Sequence, residues 1–183
     1  MNKLKAKKLL FLARKSIETY FIGKKVDEKE LNPFKEKKGV FVTLYSKGKL
    51  KGCIGFIEPH DILGKSVAEA ARFAAFSDNR FESLKQGEKF SIEISILTKP
   101  KLIKVKNPEE YLKKIKLGKD GLIIEYLSRK GLLLPQVPIE HKMNLVQFLD
   151  SLCYKAGLSE NFWKDKFVKI YKFQAEIIKE HKE

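Results

Sequence analysis

The segment GVFVTLYSKGKLKGCIGFIE, residues 39–58, reads as two apolar-rich strands meeting at Lys47-Gly48. A two-residue connection with glycine is a strong short-range signal for a β-hairpin, and a hairpin makes its strands antiparallel. A purely parallel, doubly wound sheet is therefore excluded as the organising plan. FSIEISILTKP (90–100) adds a third strand: Phe90, Ile92, Ile94 and Ile96 alternate with Ser91, Glu93 and Ser95, and Pro100 ends it. GLIIEYL (121–127) and GLLLPQV (131–137) read as two more strands joined by a short turn. KFVKIYKFQAEII (166–178) reads as a last one, with Phe167, Tyr171, Phe173, Ala175 and Ile177 on one parity.

Helical periodicity separates these strands. Residues 4–22 carry a stripe of Leu9, Leu10, Ala13, Ile17, Tyr20 and Phe21, with Gly23 as a stop. This basic amphipathic helix suits either a membrane surface or packing on its own domain. Residues 24–38, polar and with Pro33, read as a loop. A helix near 62–76 has an inner stripe of Val67, Ala70, Ala71, Ala74 and Ala75, small enough for close approach to a sheet. Asn107-Pro108-Glu109-Glu110 starts a helix that stops by Gly118. Asn144 caps another, with Leu145, Phe148, Leu149, Leu152 and Ala156 inward and Gly157 at its end; Ser159 caps a turn containing Trp163. Hairpins mixed with helices place the chain in the α+β class, with antiparallel or mixed sheets flanked by helices.

With 183 residues, 43% hydrophobic and 33% charged, the chain fits one soluble globular domain rather than a disordered one. No apolar run approaches a membrane span, and the lysine-bearing N-terminus lacks an apolar core of signal-peptide length, so a cytoplasmic location is expected. Cys53 and Cys153 form no C-x-x-C, and His60, His141 and His181 show no metal-ligand spacing with them; no metal and no cofactor is expected. The net charge of +15 attracts polyanions such as RNA, or else reflects a lysine coat on every face. Only KLKAKK (3–8) and KEKK (35–38) are dense, and neither is interleaved with aromatics.

Within the hairpin, LKGCIG (50–55) sets Cys53 between two glycines. Strand parity puts Leu50, Gly52, Ile54 and Phe56 on one side and Lys51, Cys53, Gly55 and Ile57 on the other. A filler thiol belongs with Ile54 and Phe56; Cys53 instead shares its face with Lys51, whose ammonium would lower the thiol pKa. A two-residue turn at 47–48 places Val42 opposite Cys53, while a bulge would move the register. Two readings stand: a chemically used Cys53, or an inert packed thiol. Cys153, on a buried helical stripe, reads as core.

LKGCIG resembles the six-residue signature of the AMMECR family, usually Leu-Arg-Gly-Cys-Ile-Gly, with Lys51 in place of arginine. DNRF (78–81), EISILT (93–98), GLLLPQV (131–137) with Glu140, and CYKAGL (153–158) followed by Trp163 resemble further family segments in the same order. PIEHKM (138–143) departs from the family's pattern. The resemblance implies one domain over 1–183, built as two intertwined lobes with a cleft between them. It implies an association with Memo-like and radical-SAM proteins, and a nucleotide- or RNA-related modification has been suspected for the family. It groups Cys53, Lys51, Glu93 and Glu140 as candidate catalytic residues and Gly52, Gly55, Asp78, Arg80 and Gln136 as candidate substrate-binding residues. Each has a structural alternative: Asp78 and Arg80 as a surface ion pair, Glu93 as a solvated residue on an open sheet face, Gln136 as a partner for backbone groups at a strand end.

Two functions follow. In one, the chain is an enzyme or enzyme partner modifying a nucleotide-like, RNA-like or small-molecule substrate through Cys53, with Lys51 depressing the thiol pKa and Glu93 or Glu140 moving a proton. In the other, it is a non-catalytic adaptor presenting the LKGCIG hairpin to a protein or RNA.

Overall fold

The computed structural model describes residues 1–180; His181 lies outside them. In chain order the elements are α1 (Lys3–Phe21), α2 (Glu28–Leu31), β1 (Val40–Ser46), β2 (Lys49–Phe56), α3 (Leu63–Phe76), β3 (Ser91–Leu97) and β4 (Lys101–Leu102). There follow α4 (Glu109–Lys114), β5 (Gly121–Tyr126), β6 (Arg129–Leu133), α5 (Val137–Glu140), α6 (Leu145–Lys155), a 3-10 turn (Phe162–Lys164), β7 (Lys169–Phe173) and β8 (Ala175–Lys179). Helices combine with two antiparallel sheets, so the fold is α+β. The chain divides into two compact units: Met1–Leu97 with the segment from Glu176 onward, and Thr98–Ala175.

The first unit holds a sheet of order β2-β1-β3-β8. Its inner face is Val40, Val42, Leu44, Ile92, Ile94 and Ile96, all buried in one core with α1 and α3. The alanines of α3 let helix and sheet backbones approach: a methyl built on Gly52 would fall 1.9 Å from the carbonyl oxygen of Ala74. In α1 the buried stripe includes Leu12 and Ser16, whose hydroxyl donates to the Ala68 carbonyl at 2.7 Å; Tyr20, expected inside, is exposed. Inside the expected loop 24–38, Asp27 accepts from the Lys29 N–H and starts the one-turn α2.

The hairpin turns at Lys47 and Gly48, both at positive φ (50° and 75°), the pattern of a type I′ turn. The register then shifts. Tyr45 faces Leu50, but Leu44 faces Gly52, so Lys51 is an extra residue in β2. This bulge corrects two expectations: Thr43, not Val42, lies opposite Cys53, and Leu50 leaves the row of Gly52 and Ile54.

The second unit holds a sheet of order β4-β7-β5-β6 with α6 packed on it. Leu122, Ile124, Phe148, Leu149, Leu152, Cys153, Trp163 and Ile170 make its core. Asn144 and Gln147 form a reciprocal capping box at the start of α6. The 3-10 turn is preceded by Asn161 at φ 61°, not capped by a Ser159 side chain. Two expected strands are corrected. Segment 131–137 stops as a strand at Leu133, because Pro135 supplies no N–H and Pro138 opens α5. Segment 166–178 is two strands in two different sheets, divided at Gln174, whose N–H donates to the Thr98 hydroxyl at 2.8 Å.

Candidate functional site

The outer face of the first sheet carries the polar half of the alternation. Thr43 on β1 lies between its two cross-strand neighbours, Cys53 on β2 and Glu93 on β3. Thr43 is buried, and its hydroxyl donates to Cys53 Sγ at 3.2 Å. Glu93 is buried rather than solvated, and its carboxylate pairs with Lys179 Nζ at 2.8 Å.

β2 is an edge strand, and the outward N–H and C=O of Cys53 have no strand to pair with. Two side chains from the turn after α3 take that place. Asp78 Oδ2 accepts the Cys53 N–H at 2.9 Å, and Arg80 Nη2 donates to the Cys53 carbonyl at 3.1 Å. The two are joined: Arg80 Nε donates to Asp78 Oδ1 at 2.9 Å and Nη2 to Oδ2 at 2.7 Å, a bidentate pair. The Asp78 side chain is 3% exposed and that of Arg80 51%. Arg80, then the N–H groups of Cys53 and Arg80, outweigh burial and bring Asp78 down to about 2. Arg80 Nη1 makes no hydrogen bond among the described residues.

Cys53 is half-buried, and burial pushes its thiol above the ordinary range. The Thr43 hydroxyl and the Arg80 charge pull it back, while Asp78 and Glu93 add to the rise. Lys51 does not take the expected part. The bulge turns it to Glu88, with Nζ–Oε1 at 3.4 Å, and the cation whose charge reaches Cys53 is Arg80. Cys153 is fully buried, and burial pushes its thiol to about 11.

The glycines of LKGCIG have backbone reasons. Gly52 lies against α3, and a methyl on Gly55 would fall 2.2 Å from the Val40 carbonyl oxygen and 2.5 Å from the Phe41 ring. Gln136 and Glu140 belong to the second unit, at the two ends of α5. Glu140 is exposed; the Gln136 side-chain oxygen is buried without a hydrogen-bond partner among the described residues. Sequence reasoning missed Thr43 and Lys179. Only the strand register reveals the first, and only the position of β8 at the far edge reveals the second.

Among the described residues, no group of three or more His, Cys, Asp or Glu is placed to hold a metal ion. No described helix is long and apolar enough to cross a membrane.

The model of the AMMECR1 family matches residues 10–178. Protein MJ0810 of Methanocaldococcus jannaschii is 49% identical, over 92% of this chain and 86% of its own. Protein MK0488 of Methanopyrus kandleri is 44% identical, over 94% and 86%. The crystal structure of an uncharacterized protein, PH0010, from Pyrococcus horikoshii superposes with a TM-score of 0.88 at 43% identity, covering 94% of this chain and 90% of that one. On the strength of these matches and of the order of its motifs, the chain belongs to the AMMECR1 family.

Proposed function

We propose that the chain is an enzyme, or the substrate-binding partner of one, that takes a small anionic, nucleotide-like molecule at Cys53. One observation carries this reading: a guanidinium already fixed by a buried carboxylate stands half exposed beside the cysteine, with Nη1 unused among the described residues. A clamped arginine loses little side-chain freedom on meeting a phosphate or carboxylate, so the surplus appears as affinity. At rest the thiol is protonated, since burial raises it. A nucleophilic sulfur therefore needs its proton taken by the substrate, by a partner protein or by Glu93, the carboxylate two strands away on the same face. The Memo-like and radical-SAM proteins implied by the sequence resemblance are the partners this reading would test first. This reading assigns no role to Glu140, which is exposed at the end of α5.

The test is protection from alkylation. Iodoacetamide labelling of Cys53 is followed by mass spectrometry, with pyrophosphate and nucleoside monophosphates as probes and Cys153 as internal control. The expected result is a severalfold slowing at Cys53 that is absent in Arg80→Ala. If no anion changes the rate, the adaptor reading takes its place: β2 is an edge strand and Leu50 near its tip is 41% exposed.

A further inference from the structure

The two dense lysine runs of the sequence lie more than twenty-five positions apart but meet in the first unit. Lys5, in KLKAKK, is ion-paired with Glu36, in KEKK. The chain between is held to the same flank of α1: the Lys5 ammonium lies 6.0 Å from the Phe34 ring centre, and Lys8 and Phe11 line a small groove with Pro33, Phe34 and the ion pair Lys15–Glu30. Glu36, the one acid within either run, is thereby consumed. Lys3, Lys7, Lys8, Lys35, Lys37 and Lys38 are all exposed, and none has an ion-pair partner among the described residues. Leu4 and Phe11, 64% and 62% exposed, stand one helical heptad apart on the solvent side of α1.

We infer that this surface is a docking site for single-stranded RNA, held chiefly through its phosphates. Unpaired lysines on the solvent side of α1 and in the 35–38 loop that Lys5–Glu36 ties to it give the electrostatic footprint of a polyphosphate chain, because each phosphate neutralised releases a counterion. Exposed Phe11 supplies a face on which an unpaired base can stack, and duplex bases have no such face to offer. An anionic bilayer fits less well. The apolar line of α1 should then continue, but the next residue at heptad spacing is the exposed carboxylate Glu18. The inference does not rest on the reading of Cys53, and its test involves no residue of that site.

The test is fluorescence anisotropy with a labelled single-stranded RNA at several salt concentrations, on the full chain. The patch variant is Lys7→Gln/Lys8→Gln/Lys37→Gln/Lys38→Gln. The control, with equal loss of charge, is Lys65→Gln/Lys99→Gln/Lys119→Gln/Lys166→Gln. Removing four phosphate contacts should weaken binding by at least about thirtyfold at about 0.1 M salt and flatten the log–log salt slope by roughly 3. The control should lose severalfold at most. All eight side chains are exposed, and circular dichroism checks that both variants fold. Equal losses in both variants would show that diffuse charge alone attracts the RNA and overturn the proposal. So would no RNA binding by the unmodified chain at that salt, or binding to phosphatidylglycerol vesicles in its place.

Discussion

Asp78 accepts the backbone N–H of Cys53 at 2.9 Å while it clamps Arg80 in a bidentate pair. One buried carboxylate thus fixes both the strand that carries the sulfur and the cation beside it. Replacing it with the isosteric amide, Asp78→Asn, removes the charge but not the volume. The loss should be about 2–3 kcal/mol, read as a lowered urea midpoint with unchanged m.

Acid should reveal the same group. Asp78 is held at about 2 in the folded chain, against about 3.9 in an unfolded one. Folding therefore favours its charged form. That contribution, roughly 2 kcal/mol, is complete above about pH 4 and is lost as the pH falls toward about 2. Urea titrations across this window should show Asp78→Asn with a shallower fall in stability than the unmodified chain.

The pH–rate profile of Cys53 alkylation should lie above that of a free thiol, since burial dominates. Thr43→Val removes the hydroxyl that donates to Sγ, and Arg80→Ala removes the attracting charge; each should move the profile further up. Lys51→Ala should leave it in place, because Lys51 pairs with Glu88. Its cost should be no more than about 1 kcal/mol. An upward move in Lys51→Ala would restore a role that the bulge denies it.

Gly52→Ala should be among the most damaging single-methyl changes in the chain. The new methyl would meet the Ala74 backbone, which cannot swing aside as a side chain would, and the expected loss is about 3 kcal/mol. Gly48→Ala meets nothing within 4 Å and suffers only from its φ of 75°, so about 1 kcal/mol is expected there. Thermal unfolding of the two variants separates packing from backbone strain.

Local periodicity was legible in single elements. The alternation of Ser91–Leu97 separated its apolar side from its polar side, and Asn144 gave the start of α6. It failed where long-range pairing decides. Nothing local to LKGCIG marks Lys51 as the extra residue, because the bulge depends on how β2 settles against β1 and on the fit of Gly52 to α3. Glu93 reads as solvent-facing by parity alone, yet it is buried and paired with the exposed Lys179, eighty-six positions away. The run 166–178 keeps one apolar parity through Gln174, so the break between sheets leaves no pattern to find; only the Thr98–Gln174 bonds fix it.

That break has a consequence for synthesis. β8 completes a sheet whose other three strands are finished by Leu97. Until it arrives, the nascent first unit carries an open β3 edge, and Glu93 has no counter-ion from Lys179. The intervening residues Thr98–Ala175 are all translated during that interval. Maturation of the Cys53 face thus waits on synthesis of the whole second unit, and termination between Leu97 and Ala175 would release a chain with a sticky, half-made sheet.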